Sequence, residues 1–202
     1  MLVKLLGRLR ARYEAAMQPI GRELGKLGVT PNAISTLSLL IAVLAAVAYA
    51  SRAPVFGAVG LLVSGFVDML DGTVARATGA VTRFGAVYDP VLDRYAEFAV
   101  LFGMGYGGLV GWVWVVVSLF GMVMASYVRA RAESAGRLEG CSVGIAERQE
   151  KIILLVIGSL VQPFFNLGLS ISVVIVGLLS HLTAAQRLRF TWKQTSARNV
   201  NV

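Results

Sequence analysis

Apolar and basic positions alternate with helical spacing along the first 27 residues. Apolar residues recur at steps of three and four, and basic residues mostly fall between them. This pattern predicts an amphipathic helix over residues 1–27 that lies on a membrane surface. An ordinary surface helix packed against protein would show the same pattern. The apolar positions are Leu2, Leu5, Leu9, Tyr13, Met17, Ile20, Leu24 and Leu27.

The chain beyond residue 28 is a succession of long apolar stretches. Thr30-Pro31-Asn32 predicts a helix start, because proline is favoured in the first turn. Most of the stretches approach the length of about 20 residues that crosses a hydrocarbon core. They cover residues 33–50, 55–77, 84–106, 107–128, 151–165 and 167–188. We therefore predict an all-α fold: a bundle of six transmembrane helices over residues 29–190, preceded by the interfacial helix, in a single membrane domain of residues 1–202.

Composition supports lipid as the solvent of this fold. The chain is 56% hydrophobic and only 15% charged, whereas a soluble domain has about a quarter of its residues charged. Such a chain lacks the polar residues to cover a water-facing surface. Cys141 is the one cysteine, so an intramolecular disulfide is excluded.

The distribution of basic residues predicts the orientation of the bundle. The net charge is +8, and all of the 19 Lys and Arg residues except Arg52 and Arg94 fall on the side that holds both termini. This asymmetry predicts a multi-pass protein of the cell membrane with both termini in the cytoplasm. It also accounts for the basic charge without nucleic acid as a partner, since no basic motif is interleaved with aromatic residues.

Four aspartates interrupt the second and third predicted spans. Asp68 and Asp71 are three residues apart, and Asp89 and Asp93 are four apart, so each pair shares one helix face. A short turn joins the two spans, so we predict that they are antiparallel neighbours and that both pairs face one seam near the cytoplasm. Four carboxylates would repel one another there, and one or two divalent cations would remove that conflict. Oxygen-only ligands favour Mg²⁺ or Mn²⁺, and the single histidine, His181, argues against zinc.

Small residues and one arginine accompany the aspartates. Gly72, Ala75 and Gly85 leave strips of the two helices without bulk. Close helix packing explains such residues in membranes, and room for a nucleotide explains them equally well. Arg76 is placed to pair with a diphosphate, or it is an anchor on the cytoplasmic side.

The segment from Asp68 to Asp93 resembles the signature of the CDP-alcohol phosphotransferase family. Two Asp, Gly, Ala and Arg lie in residues 68–76, and after eight residues Gly and two further Asp follow in residues 85–93. The resemblance implies that an acceptor hydroxyl attacks the β-phosphate of a CDP-alcohol and releases CMP. It implies a two-metal site, with Asp93 also as general base, a CDP-lipid pocket, and a homodimer. The implied metal ligands are Asp68, Asp71, Asp89 and Asp93, and the implied CDP-lipid contacts are Gly72, Ala75, Arg76 and Gly85.

Three basic segments resemble those of phosphatidylinositol-phosphate synthases and their archaeal archaetidylinositol-phosphate counterparts. They are residues 129–133, 145–151 and 186–188. The resemblance implies that Arg129, Arg148 and Arg187 bind the phosphate of inositol 1-phosphate. Alternatively, these arginines only mark the cytoplasmic side.

Other functions remain open at this point. Pro90 after Asp89 is more typical of relatives that use glycerol 3-phosphate as the acceptor. The donor is CDP-diacylglycerol or CDP-archaeol, drawn from membrane lipids. A divalent-cation transporter would place polar groups near the membrane midplane, whereas these crowd one side. A structural membrane protein would match its carboxylates with cations, yet the four Asp exceed Arg76 and Arg94.

Overall fold

The computed structural model describes residues 17–199, and every regular element among them is helical. The predicted all-α class is confirmed for these residues. Residues 1–16, most of the predicted amphipathic helix, lie outside the described residues. The helices are α1 (residues 17–26), α2 (Pro31–Ala50), α3 (Pro54–Thr78), α4 (Gly85–Tyr106), α5 (Trp112–Ser134), α6 (Arg148–Val161) and α7 (Gly168–Asn199).

Four of these helices are long and apolar enough to cross a membrane: α2, α3, α5 and residues 168–196 of α7. Large apolar side chains such as Leu44 and Phe56 are 67% and 75% exposed, as expected for helices that face lipid. Helix α4 has 22 residues but carries several charges, and α6 has only 14 residues. The predicted count of six spans is therefore not confirmed, since four of the described helices qualify by length and composition.

Caps and turns set the helix ends. The Thr30 side chain accepts a hydrogen bond from Ala33 N at 3.3 Å, with Pro31 in the first turn, so the predicted helix start is confirmed. Helix α3 ends at Thr78 and is capped by Gly79, whose φ of 68° is the left-handed conformation that favours glycine. The predicted fourth span is wrong at its start, because residues 107–111 form a turn that precedes α5. Helices α5 and α7 also run past the apolar stretches that predicted them, to Ser134 and Asn199. Apolar content marks the part of a helix that spans a membrane, and a helix can continue beyond that part.

Small and hydroxyl side chains join the helices. Ser38 of α2 and Ser64 of α3 are buried and each donates to the other's backbone carbonyl at 3.0 Å. The hydroxyls of Tyr49 in α2 and Ser159 in α6 lie 2.8 Å apart in the interior. On the other side, Ser118 of α5 donates to the Val173 carbonyl of α7 at 2.8 Å. These contacts satisfy polar groups that are buried inside the bundle.

The packing around α3 and α4 corrects one expectation. Helix α2 packs closely on both α3 and α4, whereas the backbones of α3 and α4 hardly approach each other. They are therefore not the adjacent antiparallel neighbours that the short turn predicted, although aspartates of both helices do converge. Helix α6 packs on α3, and α5 packs on α4. The aspartates of α3 and α4 therefore approach each other through their side chains, and not through close packing of the two backbones.

Helix α1 packs against the C-terminal half of α3, which also carries Asp68 and Asp71. Gly21 is buried, and a Cβ at that position would lie 3.1 Å from the Thr73 carbonyl oxygen of α3. Ile20 of α1 is 43% exposed, and Leu27 just after the helix is 78% exposed. The described part of α1 therefore packs on protein along one side and leaves apolar residues free on another.

Candidate active site

Three aspartates converge between α3 and α4. Asp68, Asp71 and Asp89 each offer a carboxylate oxygen, and these oxygens lie within 4.8 Å of one another. All three residues are partly buried, and Asp89 Oδ1 is buried without a hydrogen-bond partner among the described residues. A buried acceptor of this kind normally has a partner. Three converging carboxylates with an unused oxygen fit a hard divalent cation such as Mg²⁺ or Mn²⁺.

Helix α2 holds one of these carboxylates in place. Ser35 Oγ donates to Asp71 Oδ2 at 2.6 Å, and the Gly72 backbone N–H donates to the other oxygen of the same group. Nearby, the hydroxyls of Thr36 and Tyr88 lie 3.0 Å apart and tie α2 to α4 beside Asp89. Helix α2 thus orients Asp71 of α3 and is also tied to α4 next to Asp89. Ser35 lies within an apolar run, and its sequence position alone did not indicate this role.

We expect Ser35→Ala to weaken metal binding without unfolding the protein. Loss of a hydrogen bond that orients a metal ligand typically costs about 10–100-fold in affinity. Mn²⁺ titration of the purified variant measures the effect. Ser170→Ala is a matched control, because Ser170 donates to the Leu109 carbonyl, outside the carboxylate cluster. Equal Mn²⁺ affinity in both variants would remove Ser35 from the site.

Asp93 lies beside these three carboxylates in a different environment. Its Oδ1 is 2.7 Å from Arg148 Nη1, and its Oδ2 is 3.7 Å from Arg94 Nη2. Arg148 also pairs with Asp68. The described structure therefore brings Asp68, Asp71 and Asp89 together directly and links Asp93 to them through a guanidinium.

The residues expected to contact the CDP-lipid line α3 and the start of α4. A Cβ on Gly72 would lie 3.1 Å from Arg76 Nη1, so the guanidinium folds back over the glycine one turn before it. Ala75 is partly buried on the same helix. A Cβ on Gly85 would approach Thr82 Oγ1 at 3.1 Å and Asn32 Oδ1 at 3.3 Å. Gly72 and Gly85 therefore both lie at close contacts that a larger residue would disturb.

The three arginines expected to bind a phosphate differ in their surroundings. Arg129 is exposed and its Nε donates to Glu133 at 3.0 Å. Arg187 is 7% exposed, and it donates from Nε to the Val143 carbonyl at 2.9 Å and from Nη1 to the Ala125 carbonyl at 2.8 Å. Arg148 is occupied by Asp68 and Asp93. Arg187 thus holds the loop before α6 against α5.

A second layer of charges lies deeper, and the sequence did not assign it a role. Arg94 Nη2 is 2.9 Å from Glu97 Oε1, and Arg94 also donates to Ser126 of α5. Lys151 is 5% exposed. Glu97, Lys151 and Arg148 line one small cavity of about 30 Å³. Two spacings in the sequence indicate this layer. Glu97 lies four residues after Asp93 and shares its helix face, and Lys151 lies three residues after Arg148 and shares its face.

Comparisons with known proteins agree with this arrangement. A sequence model of the CDP-alcohol phosphatidyltransferase family matches residues 28–192. The archaetidylinositol phosphate synthase of Pyrococcus horikoshii is 39% identical over 91% of this chain and 95% of its own length. The phosphatidylinositol phosphate synthase of Mycobacterium marinum is 33% identical over 96% of this chain and 86% of its own length.

Solved structures of the phosphatidylinositol phosphate synthase of Mycobacterium tuberculosis have the same fold. The form with CDP-DAG bound has a TM-score of 0.78 at 30% identity, covering 87% of this chain and 93% of that one. The form in complex with manganese and citrate has a TM-score of 0.77 at 31% identity, covering 87% and 88%. The chain therefore belongs to the CDP-alcohol phosphatidyltransferase family, whose members are membrane-integral transferases of phospholipid biosynthesis.

Proposed function

We propose that this enzyme transfers a phosphatidyl-type group from a CDP-lipid to myo-inositol 1-phosphate and releases CMP. The observation that carries the proposal is the convergence of three carboxylates from α3 and α4 with Arg148 from α6. A cluster that combines acidic and basic groups suits a reaction in which a metal-bound diphosphate meets a phosphorylated acceptor. Relatives named as inositol phosphate lipid synthases, similar over nearly their whole length, support this acceptor.

The donor would lie along α3 and the start of α4. Arg76, with Gly72 and Ala75 on the same helix and Gly85 opposite, would hold the CDP moiety. Asp68, Asp71, Asp89 and Asp93 would hold two Mg²⁺ or Mn²⁺ ions. When bound, these ions would neutralise charge on the diphosphate oxygens. The donor lipid would be CDP-archaeol or CDP-diacylglycerol. The residues that hold CDP do not distinguish these lipids, because both carry the same CDP group.

Asp93 would act on the acceptor as general base. Its carboxylate takes the proton of the acceptor hydroxyl as that oxygen bonds to the β-phosphorus. The bond from the β-phosphorus to the bridging oxygen breaks, and CMP leaves with the electron pair. Arg94 Nη2 lies 3.7 Å from Asp93 Oδ2, and it would hold this carboxylate in position.

Arg129, Arg148 and Arg187 would bind the phosphate of the acceptor. Arg187 reaches the Ala125 carbonyl, one turn before Arg129 on α5, and two guanidinium groups near one phosphate favour its binding. The backbone hydrogen bonds of Arg187 to Val143 and Ala125 fix its direction.

We expect Arg187→Lys to raise the KM for inositol 1-phosphate far more than the KM for the CDP-lipid. Lysine keeps the charge but lacks the planar fork, and the loss of a charged hydrogen bond is worth about tenfold or more. Initial-rate kinetics with each substrate varied in turn measure both constants. Arg189→Lys, two residues along and exposed, serves as the control. An equal loss for both substrates would contradict a role at the acceptor.

The same proposal includes the membrane arrangement. Six spans, with α4 and α6 completing the four apolar helices, would place both termini and the active site at the cytoplasmic face. Residues 1–27 would lie on that face as an interfacial helix. The enzyme would work as a homodimer.

Competition among acceptors tests the acceptor assignment. The purified enzyme receives a CDP-lipid, Mg²⁺ and an equimolar mixture of inositol 1-phosphate, glycerol 3-phosphate, serine and inositol, and mass spectrometry identifies the lipid products. We expect the inositol phosphate lipid to dominate. A glycerophosphate product would instead favour the alternative acceptor, for which Pro90 directly after Asp89 is the specific sequence feature.

A further inference from the structure

Arg148 occupies a position that a divalent cation would contest. Its guanidinium pairs with Asp68 of α3, and its Nη1 lies 2.7 Å from Asp93 Oδ1 of α4. Arg148 is also the first residue of α6. One side chain from a third helix therefore connects two helices whose backbones hardly approach each other.

Asp68 takes part both in the carboxylate cluster and in the ion pair with Arg148. It is one of the three carboxylates whose oxygens lie within 4.8 Å of one another, and it is also a partner of Arg148. A divalent cation bound at Asp68 would place a second positive centre beside the guanidinium. Like charges in a partly buried site repel more strongly than they do in water. Arg148 and a divalent cation therefore compete for Asp68.

The position of Arg148 requires an anion at all times. It lies in the first turn of α6, where the positive end of the helix dipole disfavours a cation. Its side chain is only 23% exposed, so water compensates little of the charge. Asp68 and Asp93 supply the negative charge in the described structure. If a metal ion takes up that charge, the guanidinium needs another anion.

We propose that Arg148 is the counter-cation of the carboxylate cluster in the metal-free enzyme, and that metal binding releases it to the phosphate of the acceptor. This inference rests on the proposed function for the identity of that phosphate. It follows that metal ions weaken the hold of Asp68 and Asp93 on Arg148 and thereby strengthen the binding of the acceptor. By linkage, the acceptor strengthens metal binding by the same factor.

Mn²⁺ binding to purified protein, without donor or acceptor, tests the competition. Electron paramagnetic resonance of free Mn²⁺ gives the dissociation constant. We expect Arg148→Gln to bind Mn²⁺ about tenfold more tightly than the wild type, the ratio that one charged hydrogen bond is worth. Arg189→Gln is the matched control, because Arg189 is exposed on α7 and has no assigned role at the site. Its Mn²⁺ affinity should equal that of the wild type.

Calorimetric titration with myo-inositol 1-phosphate tests the release. In the wild type we expect Mn²⁺ to raise the affinity for this acceptor about tenfold over its value in EDTA. In Arg148→Gln this gain should disappear. A gain that persists in the variant would mean that the metal contacts the phosphate directly, and it would overturn the release step.

Melting curves guard against a folding defect. In EDTA we expect Arg148→Gln to melt below the wild type, because its carboxylates lose their counter-charge, and Mn²⁺ should raise its melting temperature by more than it raises that of the wild type. If that variant does not fold, Arg148→Met, which also removes the charge, takes its place, and a wild-type Mn²⁺ affinity would then overturn the inference. Equal or weaker Mn²⁺ binding by a folded Arg148→Gln would overturn it while leaving the proposed function intact. Failure of the wild type to bind Mn²⁺ would overturn the metal site itself and this inference with it.

Discussion

Asp93→Asn is expected to lower kcat by about 10²–10⁴-fold while metal binding largely remains. The amide keeps the shape of the side chain but cannot accept the proton of the acceptor hydroxyl. Asp93 is not one of the three carboxylates whose oxygens converge within 4.8 Å, so Mn²⁺ retains its main ligands. Single-turnover CMP release gives the rate, and Mn²⁺ titration gives the affinity.

The control for this variant is an acid far from the cluster. Glu139 is exposed in the loop between α5 and α6, and Glu139→Gln removes the same charge without touching the reacting groups. It should turn over as fast as the wild type. Normal turnover by Asp93→Asn would contradict the role of Asp93 as the base. Loss of Mn²⁺ binding in that variant would mean that the main role of Asp93 is to bind the metal.

Asp89→Ala is expected to abolish both Mn²⁺ binding and transfer. The change removes one of three converging carboxylates, and alanine, unlike asparagine, leaves no oxygen ligand behind. Since each charged ligand contributes at least about 1.5 kcal/mol, we expect an affinity loss of tenfold at minimum and activity at background. Mn²⁺ titration and CMP release measure the two effects on one preparation.

The melting temperature in EDTA separates this loss from misfolding. Asp89 Oδ1 has no hydrogen-bond partner among the described residues, so its removal breaks no contact of that atom. The variant also relieves repulsion from Asp68 and Asp71. We therefore expect Asp89→Ala to melt no lower than the wild type in EDTA. Retained Mn²⁺ binding would contradict the proposed metal site.

Local signals in the sequence predicted the elements of this fold. The cap at Thr30 and the apolar run after it predicted α2, and steps of three and four residues placed each aspartate pair on one helix face. These features depend on residues close in the chain, so a single sequence contains them. The match of family spacing over residues 68–93 then identified the chemistry.

The arrangement of the helices could not be predicted in the same way. The short turn predicted that α3 and α4 are antiparallel neighbours, but α2 packs on both and their backbones hardly approach each other. Ser35 illustrates why side-chain contacts are also hidden. Its hydroxyl can donate to the Pro31 carbonyl of its own helix at 3.2 Å, so a serine in an apolar run needs no partner elsewhere. Only the tertiary structure brings Asp71 to it.

Arg148 shows the same limit for charges. Eighty positions separate it from Asp68 in the chain, and its sequence context predicted that it binds the phosphate of the acceptor. The fold places it against carboxylates instead. Because a guanidinium binds carboxylate and phosphate with the same geometry, sequence alone did not distinguish the two partners.

CMP release by the purified wild-type enzyme tests the proposed function most directly. The enzyme receives inositol 1-phosphate with CDP-archaeol or CDP-diacylglycerol, in Mg²⁺ or in EDTA. We predict release with at least one donor that requires both the acceptor and the metal. No release with either donor in Mg²⁺, or release undiminished by EDTA, would contradict a metal-dependent transfer at Asp68, Asp71 and Asp89.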